Sequence, residues 1–247
     1  MAKKITCVCE TNPGANRETG INPAYENGMD TYVYEFLCSQ GYDVTWVKNG
    51  PDDDGSGLTD EILENTEVLL WWGHMYHNKI LDSIAEKVAL RVNRGMGYIA
   101  MHSGHHAKPF KRLLGTTGNL SWREIGERER LWVTDFGHPI AKGVGDSFVI
   151  DHEEMYGEPF DIPNPDELVF ISWFQGGEVM RSGCVWKRGR GKVFFFRPGH
   201  ETLPTYKNEN VQKVLVNAIE YLTPDEIVEP YGAPHVKIPP EGDIKTW

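Results

Sequence analysis

Four short, apolar, β-favouring runs at residues 5–9, 43–47, 68–72 and 98–101 are separated by segments whose apolar residues recur at helical spacing. Strands that alternate with helices in this way have to run parallel, because each crossover returns the chain to the same edge of the sheet. Between the first two strands, Met29, Val33, Phe36 and Leu37 mark one face of a helix over 29–40, stopped by Gly41. Thr59 is placed to cap a short helix whose first turn carries Asp60 and Glu61. Ile80, Leu81, Ile84, Val88 and Val92 predict a further helix over 78–94 that ends at Gly95. The expected class is α/β: a doubly wound, mostly parallel sheet in a three-layer arrangement.

The second half changes character. Residues 128–133, 147–150, 168–173, 184–187 and 193–196 read as strands with no long helix between them, so hairpins replace crossovers, and Gly189-Arg190-Gly191 supplies one tight turn. A closing helix is expected over 208–221, on Val211, Val214, Leu215, Ala218 and Ile219. From Pro224 onward the density of proline predicts that a domain over 1–223 is followed by an extended, proline-rich tail over 224–247.

Charge limits the partners. Lys and Arg number 25 against 36 Asp and Glu, a net of −11, and no basic run exceeds two residues. Neither a nucleic-acid backbone nor an anionic membrane is an expected partner. No apolar run approaches the roughly 20 residues of a membrane span. Met1-Ala2-Lys3-Lys4 leads into the first strand without a signal-peptide core, which predicts a soluble, cytoplasmic protein. The cysteines, Cys7, Cys9, Cys38 and Cys184, are too sparse for a disulfide framework and are expected as reduced packing thiols without catalytic duty.

In open parallel sheets, ligands bind beyond the carboxyl ends of the strands. Three histidine clusters stand at or near such ends: Gly73-His74-Met75-Tyr76-His77, His102-Ser103-Gly104-His105-His106 and Pro198-Gly199-His200-Glu201. Asp151-His152-Glu153-Glu154-Met155-Tyr156 follows another predicted strand. Desolvated imidazoles are costly unless paired, metallated or used, so their accumulation around one crevice points to chemistry rather than packing.

The run from Tyr98 through Met101-His102-Ser103-Gly104 resembles the strand and sharp turn of the class I glutamine amidotransferase-like fold, in which a nucleophile is followed by any residue and then glycine. His102 stands in the nucleophile's place. With Trp71-Trp72-Gly73-His74, Gly137-His138-Pro139-Ile140, Glu153-Glu154-Met155-Tyr156 and Phe196-Arg197-Pro198-Gly199-His200, the chain resembles the trehalose-utilisation ThuA-like family over about residues 5–222. The resemblance implies a cytoplasmic protein of sugar catabolism, met alongside sugar oxidoreductases that produce keto-glycosides. Glutamine amidotransfer is not expected, because none of the four cysteines is placed to form the thioester. Ser103 lacks the glycine two residues earlier that a nucleophile elbow needs; Met101 stands there.

What remains is an imidazole and carboxylate site: His102, His200 and Glu154 (or Glu153) as catalytic groups with His74 opposite. His74, Tyr156, Asn12 and Ser103 are the expected substrate-binding residues, and Asn16 and Arg17 share the loop of Asn12. Two chemistries fit. In one, His and Glu move protons on a sugar carbon or hydroxyl, as enolisation or elimination from a 3-keto sugar requires. In the other, His102, His152 and His200 hold a divalent metal, zinc first among the choices. His152 joins the site only if its segment is extended, so that it faces the same side as Glu154. Trp71, Trp72, Tyr76, Trp122, Tyr156 and Trp173 suit the apolar faces of pyranose rings, with core packing as the plain alternative.

Three readings therefore stand: a carbohydrate enzyme of the isomerase, lyase or hydrolase kind, a sugar-binding or regulatory module without chemistry, and a structural subunit. The expected partners are a small-molecule sugar and further copies of the chain.

Overall fold

The computed structural model describes residues 2–16, 18–229 and 242. The first half runs β1 (Lys4–Glu10), α1 (Met29–Ser39), β2 (Asp43–Asn49), α2 (Asp60–Glu64), β3 (Val68–Trp72), α3 (Asp82–Asn93), β4 (Gly97–Met101) and α4 (Lys108–Leu114). The second half is β5 (Ser121–Val133), β6 (Ser147–Gly157), β7 (Glu167–Phe174), β8 (Val179–Arg188), β9 (Gly191–Phe196) and α5 (Glu209–Leu222). All nine strands form one sheet in the order β2-β1-β3-β4-β9-β8-β7-β5-β6. From β2 to β9 the pairs are parallel, and from β9 to β6 they are antiparallel. The expected α/β class and its crossovers hold, and the hairpin half extends the same sheet.

The core is divided by that sheet into two layers. One packs Ile5, Cys7 and Cys9 of β1 against Met29, Val33 and Leu37 of α1 and Val211, Val214 and Leu215 of α5. The other packs Leu69, Trp71, Tyr98 and Phe195 against Ile84, Val88 and Val92 of α3 and Phe110 of α4. Every residue of β3 and β4 is buried, as expected for strands covered on both faces. Trp71 and Trp72 are therefore core residues.

Two sequence expectations need correction. The helix predicted from 78 starts at Asp82: the N–H of Leu81 is paired to the carbonyl of Asp54, which keeps Ile80 and Leu81 extended after a short 3-10 turn at His77–Lys79. Cys38 is exposed on α1 and does not pack, unlike Cys7, Cys9 and Cys184. The opening of the tail carries no helix or strand and lies against the end of α3, where Val228 exchanges hydrogen bonds with Arg94. From Pro230 the expected extended arm lies outside the described residues, apart from Gly242. Among the described residues no helix is long and apolar enough to cross a membrane.

Burial pushes the Cys7 thiol up to about 12 and raises Cys9 and Cys184 well above their ordinary range. A thiol that stays protonated and inaccessible does not react. Iodoacetamide is thus expected to label Cys38 alone in the native protein, and the other three only after denaturation, as read by peptide mass spectrometry. Native labelling of Cys7, Cys9 or Cys184 would contradict this packing.

Candidate functional site

β4 ends in a sharp turn. His102 has φ +49°, in the left-handed region that non-glycine residues seldom occupy, and opens a 3-10 turn over His102–His106. Gly104 lets this turn press onto β3, because a Cβ there would come within 2.7 Å of the Trp71 carbonyl oxygen. The turn lifts the His102 ring over the carboxyl ends of β4 and β9, where β6 also delivers Glu154 and Tyr156.

Hydrogen bonds define the proton on each imidazole. His102 Nδ1 lies 3.0 Å from the Arg197 carbonyl oxygen, which can only accept, so Nδ1 carries hydrogen. Its Nε2 then faces Glu154 Oε2 at 3.0 Å and the Tyr156 hydroxyl at 3.3 Å. Two acceptors at 3.0 Å need one proton between them, so His102 and Glu154 act as a proton-sharing pair. His200 has the opposite arrangement. The backbone N–H of Thr202 donates to its Nδ1 at 3.2 Å, leaving hydrogen on Nε2, which points at Glu124 Oε1 (3.3 Å) and lies 3.9 Å from Glu154 Oε2. The His102 ring stacks on Tyr156 at 4.8 Å and stands edge-on to His200 at 5.7 Å.

Burial alone would raise Glu154, but the His102 hydrogen bond and the charges of His102, His200 and Arg197 outweigh it and hold the carboxyl below its ordinary value. On the neighbouring imidazoles burial prevails. It brings His77 down to about 3 and His106 to about 4, and lowers His105 far further than its Gly118 hydrogen bond can restore. Those three rings are neutral at pH 7; His105 and His106 form walls of the site, and His105 Nδ1 bonds the Gly118 carbonyl at 2.7 Å.

His74 sits at the rim, with Nδ1 2.8 Å from Glu201 Oε1. Burial raises Glu201, but the His74 hydrogen bond and the surrounding imidazoles bring it down to about 2, while His74 is raised by the same bond. Stability from the lowered Glu201 is full above the ordinary carboxylate value and is lost as pH falls toward 2. Stability from the raised His74 is full below its ordinary value of 6.5 and is lost as pH rises through its folded value. The stability gap between wild type and Glu201→Gln is therefore expected to be widest near pH 5.5 and to narrow toward pH 3 and pH 9. Urea titrations across that range measure it; a gap independent of pH would disprove the ion pair.

A cavity of about 180 Å³ opens here, with Glu154, Tyr156 and His105 on the inside and His74, Trp122 and Glu124 among its outer walls. A larger groove of about 570 Å³ lies at the opposite edge of the sheet, between α3 and the β8–β9 turn. Its charged residues are largely spent in ion pairs, Lys87 with Asp60 and Arg91 and Arg94 with Glu64, and no imidazole lines it, so the smaller cavity is the candidate site.

Of the expected residues, the structure brings together His102, Glu154, His200 and Tyr156, with His74 at the rim. Ser103 lines the cavity, but its hydroxyl proton is committed to the Gly73 carbonyl at 2.6 Å. Asn12 stays in its own loop, where Nδ2 holds the Gly20 carbonyl, and Arg17 lies outside the described residues. His152 is exposed and bonds the Gly126 carbonyl through Nδ1. Its segment is extended, yet it leaves the site face: Glu127 pairs with Glu153 but Glu129 with Ile150, so a bulge in β6 shifts the alternation.

Three residues escaped the sequence reading, Glu10, Glu124 and Arg197, and Glu153, read there as the alternative to Glu154, takes a supporting place instead. Glu10, at the end of β1, accepts the backbone N–H groups of His74, Met75 and Tyr76 and so shapes the rim loop. Glu124 reaches the mouth from β5. Arg197 and Glu153, wholly buried, hold the site from below: Arg197 Nη1 donates to the Glu154 carbonyl at 2.6 Å, and Glu153 accepts from the N–H groups of Gly199 and His200. Only strand position could have hinted at Glu10; the others carry no local signal.

The expected metal set of His102, His152 and His200 does not assemble. Among the described residues, the one group with metal-ligand spacing is Glu124, Glu154 and His200. It fits a resident metal poorly, because the Thr202 N–H on Nδ1 keeps a proton on the nitrogen of His200 that would have to ligate.

The sequence pattern of the ThuA family, described as trehalose utilisation, matches residues 17–222. A ThuA-like protein from Parabacteroides merdae is similar in structure, with a TM-score of 0.69 at 14% identity over 94% of each chain. A protein from Salmonella typhimurium named as cytoplasmic gives 0.59 at 13% identity, over 90% of this chain and 99% of that one. A glutamine amidotransferase from Thermotoga maritima gives 0.53 at 10% identity, over 89% and 97%. At these identities the likeness is one of fold. No curated protein matches the sequence.

Proposed function

The chain belongs to the ThuA, trehalose-utilisation family, and on that premise we propose that it is a cytoplasmic enzyme acting on a small carbohydrate of the trehalose or keto-glycoside class by proton transfer. The observation that carries the reading is the proton-sharing contact of His102 Nε2 with Glu154 Oε2 at 3.0 Å, beside the Nε2–H of His200. In a 3-keto sugar the carbonyl makes the adjacent C–H acidic. With the shared proton resting on His102, the carboxylate of Glu154, which lines the cavity, accepts that proton, while the His200 Nε2–H donates to the oxygen where negative charge gathers. The proton then returns to carbon, giving isomerisation, or the neighbouring C–O bond breaks and the departing oxygen is protonated, giving elimination. No thiol and no activated serine enters, and the donor set favours proton relay over a resident zinc.

The test is incubation of purified, untagged protein with glycosides and 3-keto-glycosides, with products read by mass spectrometry and solvent deuterium followed into the carbon beside the carbonyl. Turnover that survives dialysis against a chelator, with deuterium incorporation, is expected. Loss of activity on chelation, restored by zinc, would overturn the metal-free relay. Saturable sugar binding with no product over long incubation would favour a sugar-binding module, the reading that the absent nucleophile supports.

A further inference from the structure

The cavity is too small for the whole of a two-ring sugar. Its volume of about 180 Å³ falls below the roughly 300–1,000 Å³ typical of sites for drug-sized ligands, so it encloses one pyranose ring. A second ring has to lie outside, against whatever the rim presents. What the rim presents is Trp122, 64% exposed although it is among the largest side chains of the protein.

Its placement is specific. Trp122 pairs with Tyr156 across the β5–β6 ribbon, so both stand on the same face. Tyr156 in turn stacks on His102, which makes an aromatic wall running from the proton-sharing pair out to solvent. Glu124, two residues on and also lining the cavity, presents its carboxylate beside the indole, 3.3 Å from His200 Nε2. Here the ribbon has left the sheet's interior, since β5 pairs with β7 only from Glu129 onward. It is nonetheless held: Arg123, between the two, is clamped by Glu127 at 2.7 Å and by Glu178 at 2.6 Å. An exposed tryptophan on a braced ribbon is pre-organised to stack, at little entropic cost on binding.

We propose that Trp122 and Glu124 form a second subsite, which takes the outer, uncharged pyranose ring of a two-ring glycoside. Its apolar face lies on the indole and its hydroxyls donate to the Glu124 carboxylate. This rests on the reading of the cavity as a carbohydrate site and adds that the substrate has two rings, only one of which reaches Glu154.

The test compares trehalose and its 3-keto form with methyl α-glucoside and its 3-keto form, by calorimetry and by initial rates, on wild type, Trp122→Ala and Trp122→Phe. Trp122→Ala is expected to weaken the two-ring ligands about tenfold more than the one-ring ligands, seen in KM rather than kcat. Trp122→Phe should largely restore the preference. Equal weakening of both classes would put Trp122 in the first-ring pocket, and no weakening of either would abolish the subsite. A change in sedimentation with sugar affinities unaltered would make Trp122 a contact between copies and overturn the proposal. If wild type takes neither class, the carbohydrate reading itself falls; if it takes both and only the ratio fails to move, the subsite alone does.

Discussion

His102→Ala is expected to lower turnover by about 10²–10⁴-fold, the range that a positioned acid–base group contributes. The ring is the one group that touches Glu154, Tyr156 and the Arg197 carbonyl together, so alanine removes the proton partner of the carboxylate and the stacking surface of Tyr156 at once. Glu154 then loses the largest influence holding it below its ordinary value and moves upward, because its burial is no longer opposed by the imidazole. The acid limb of the pH–rate profile should shift to higher pH in this variant. Glu154→Gln should lose activity to a similar extent, and the double variant should cost little more than either alone, since a pair that acts through one proton fails as a unit. A His102→Ala protein with full turnover and unchanged sugar affinity would move the site elsewhere.

Arg197→Met is expected to destabilise the fold by about 3–5 kcal/mol, the cost of breaking a buried ion pair from one side. For a chain of this size that is a fall in melting temperature of roughly 6–20 °C. Arg197, Glu129 and Glu153 are all fully buried, and the guanidinium is bonded to Glu129, 3.3 Å from Glu153, and bonded to the Glu154 carbonyl. Burial pushes Glu129 up to about 7 even with Arg197 pulling the other way, whereas Glu153, equally buried, is held low with Arg197 as the chief opposing influence. Without the guanidinium both carboxyls would have folded values above their unfolded ones. Their penalty is then present above the ordinary carboxylate range and disappears as pH falls through it. The gap to wild type should therefore close in acid, measurable by thermal melts between pH 4 and 8. Glu129→Gln, which retains size and replaces a group that titrates near neutrality, should be much milder. An unchanged melting temperature for Arg197→Met at pH 7 would refute this account.

Such a network has no mark in the chain. Arg197 stands 68 residues from Glu129 and 43 from Glu154, and nothing about a lone arginine beside a proline says that it will be wholly buried. Glu154 and His152 show the same limit from the other side. Period-two alternation treats them alike, and a bulge whose position depends on pairing with β5 sends one into the cavity and the other to solvent.

The sequence by itself determined the α/β class, the parallel crossovers, the closing helix and the strand ends at which His74, His102 and His200 emerge. These follow from local periodicity and from the rule that parallel strands deliver their carboxyl ends to one edge. Only the tertiary structure decided that Glu124 joins the site and His152 does not, that Arg197 and Glu153 brace it, and that His102 and His200 hold their protons on opposite nitrogens. Those outcomes depend on strand register and on hydrogen bonds to backbone groups brought near by other segments, such as the Arg197 carbonyl on His102. A protonation state is a property of what surrounds a side chain, and the surroundings exist only once the sheet has closed.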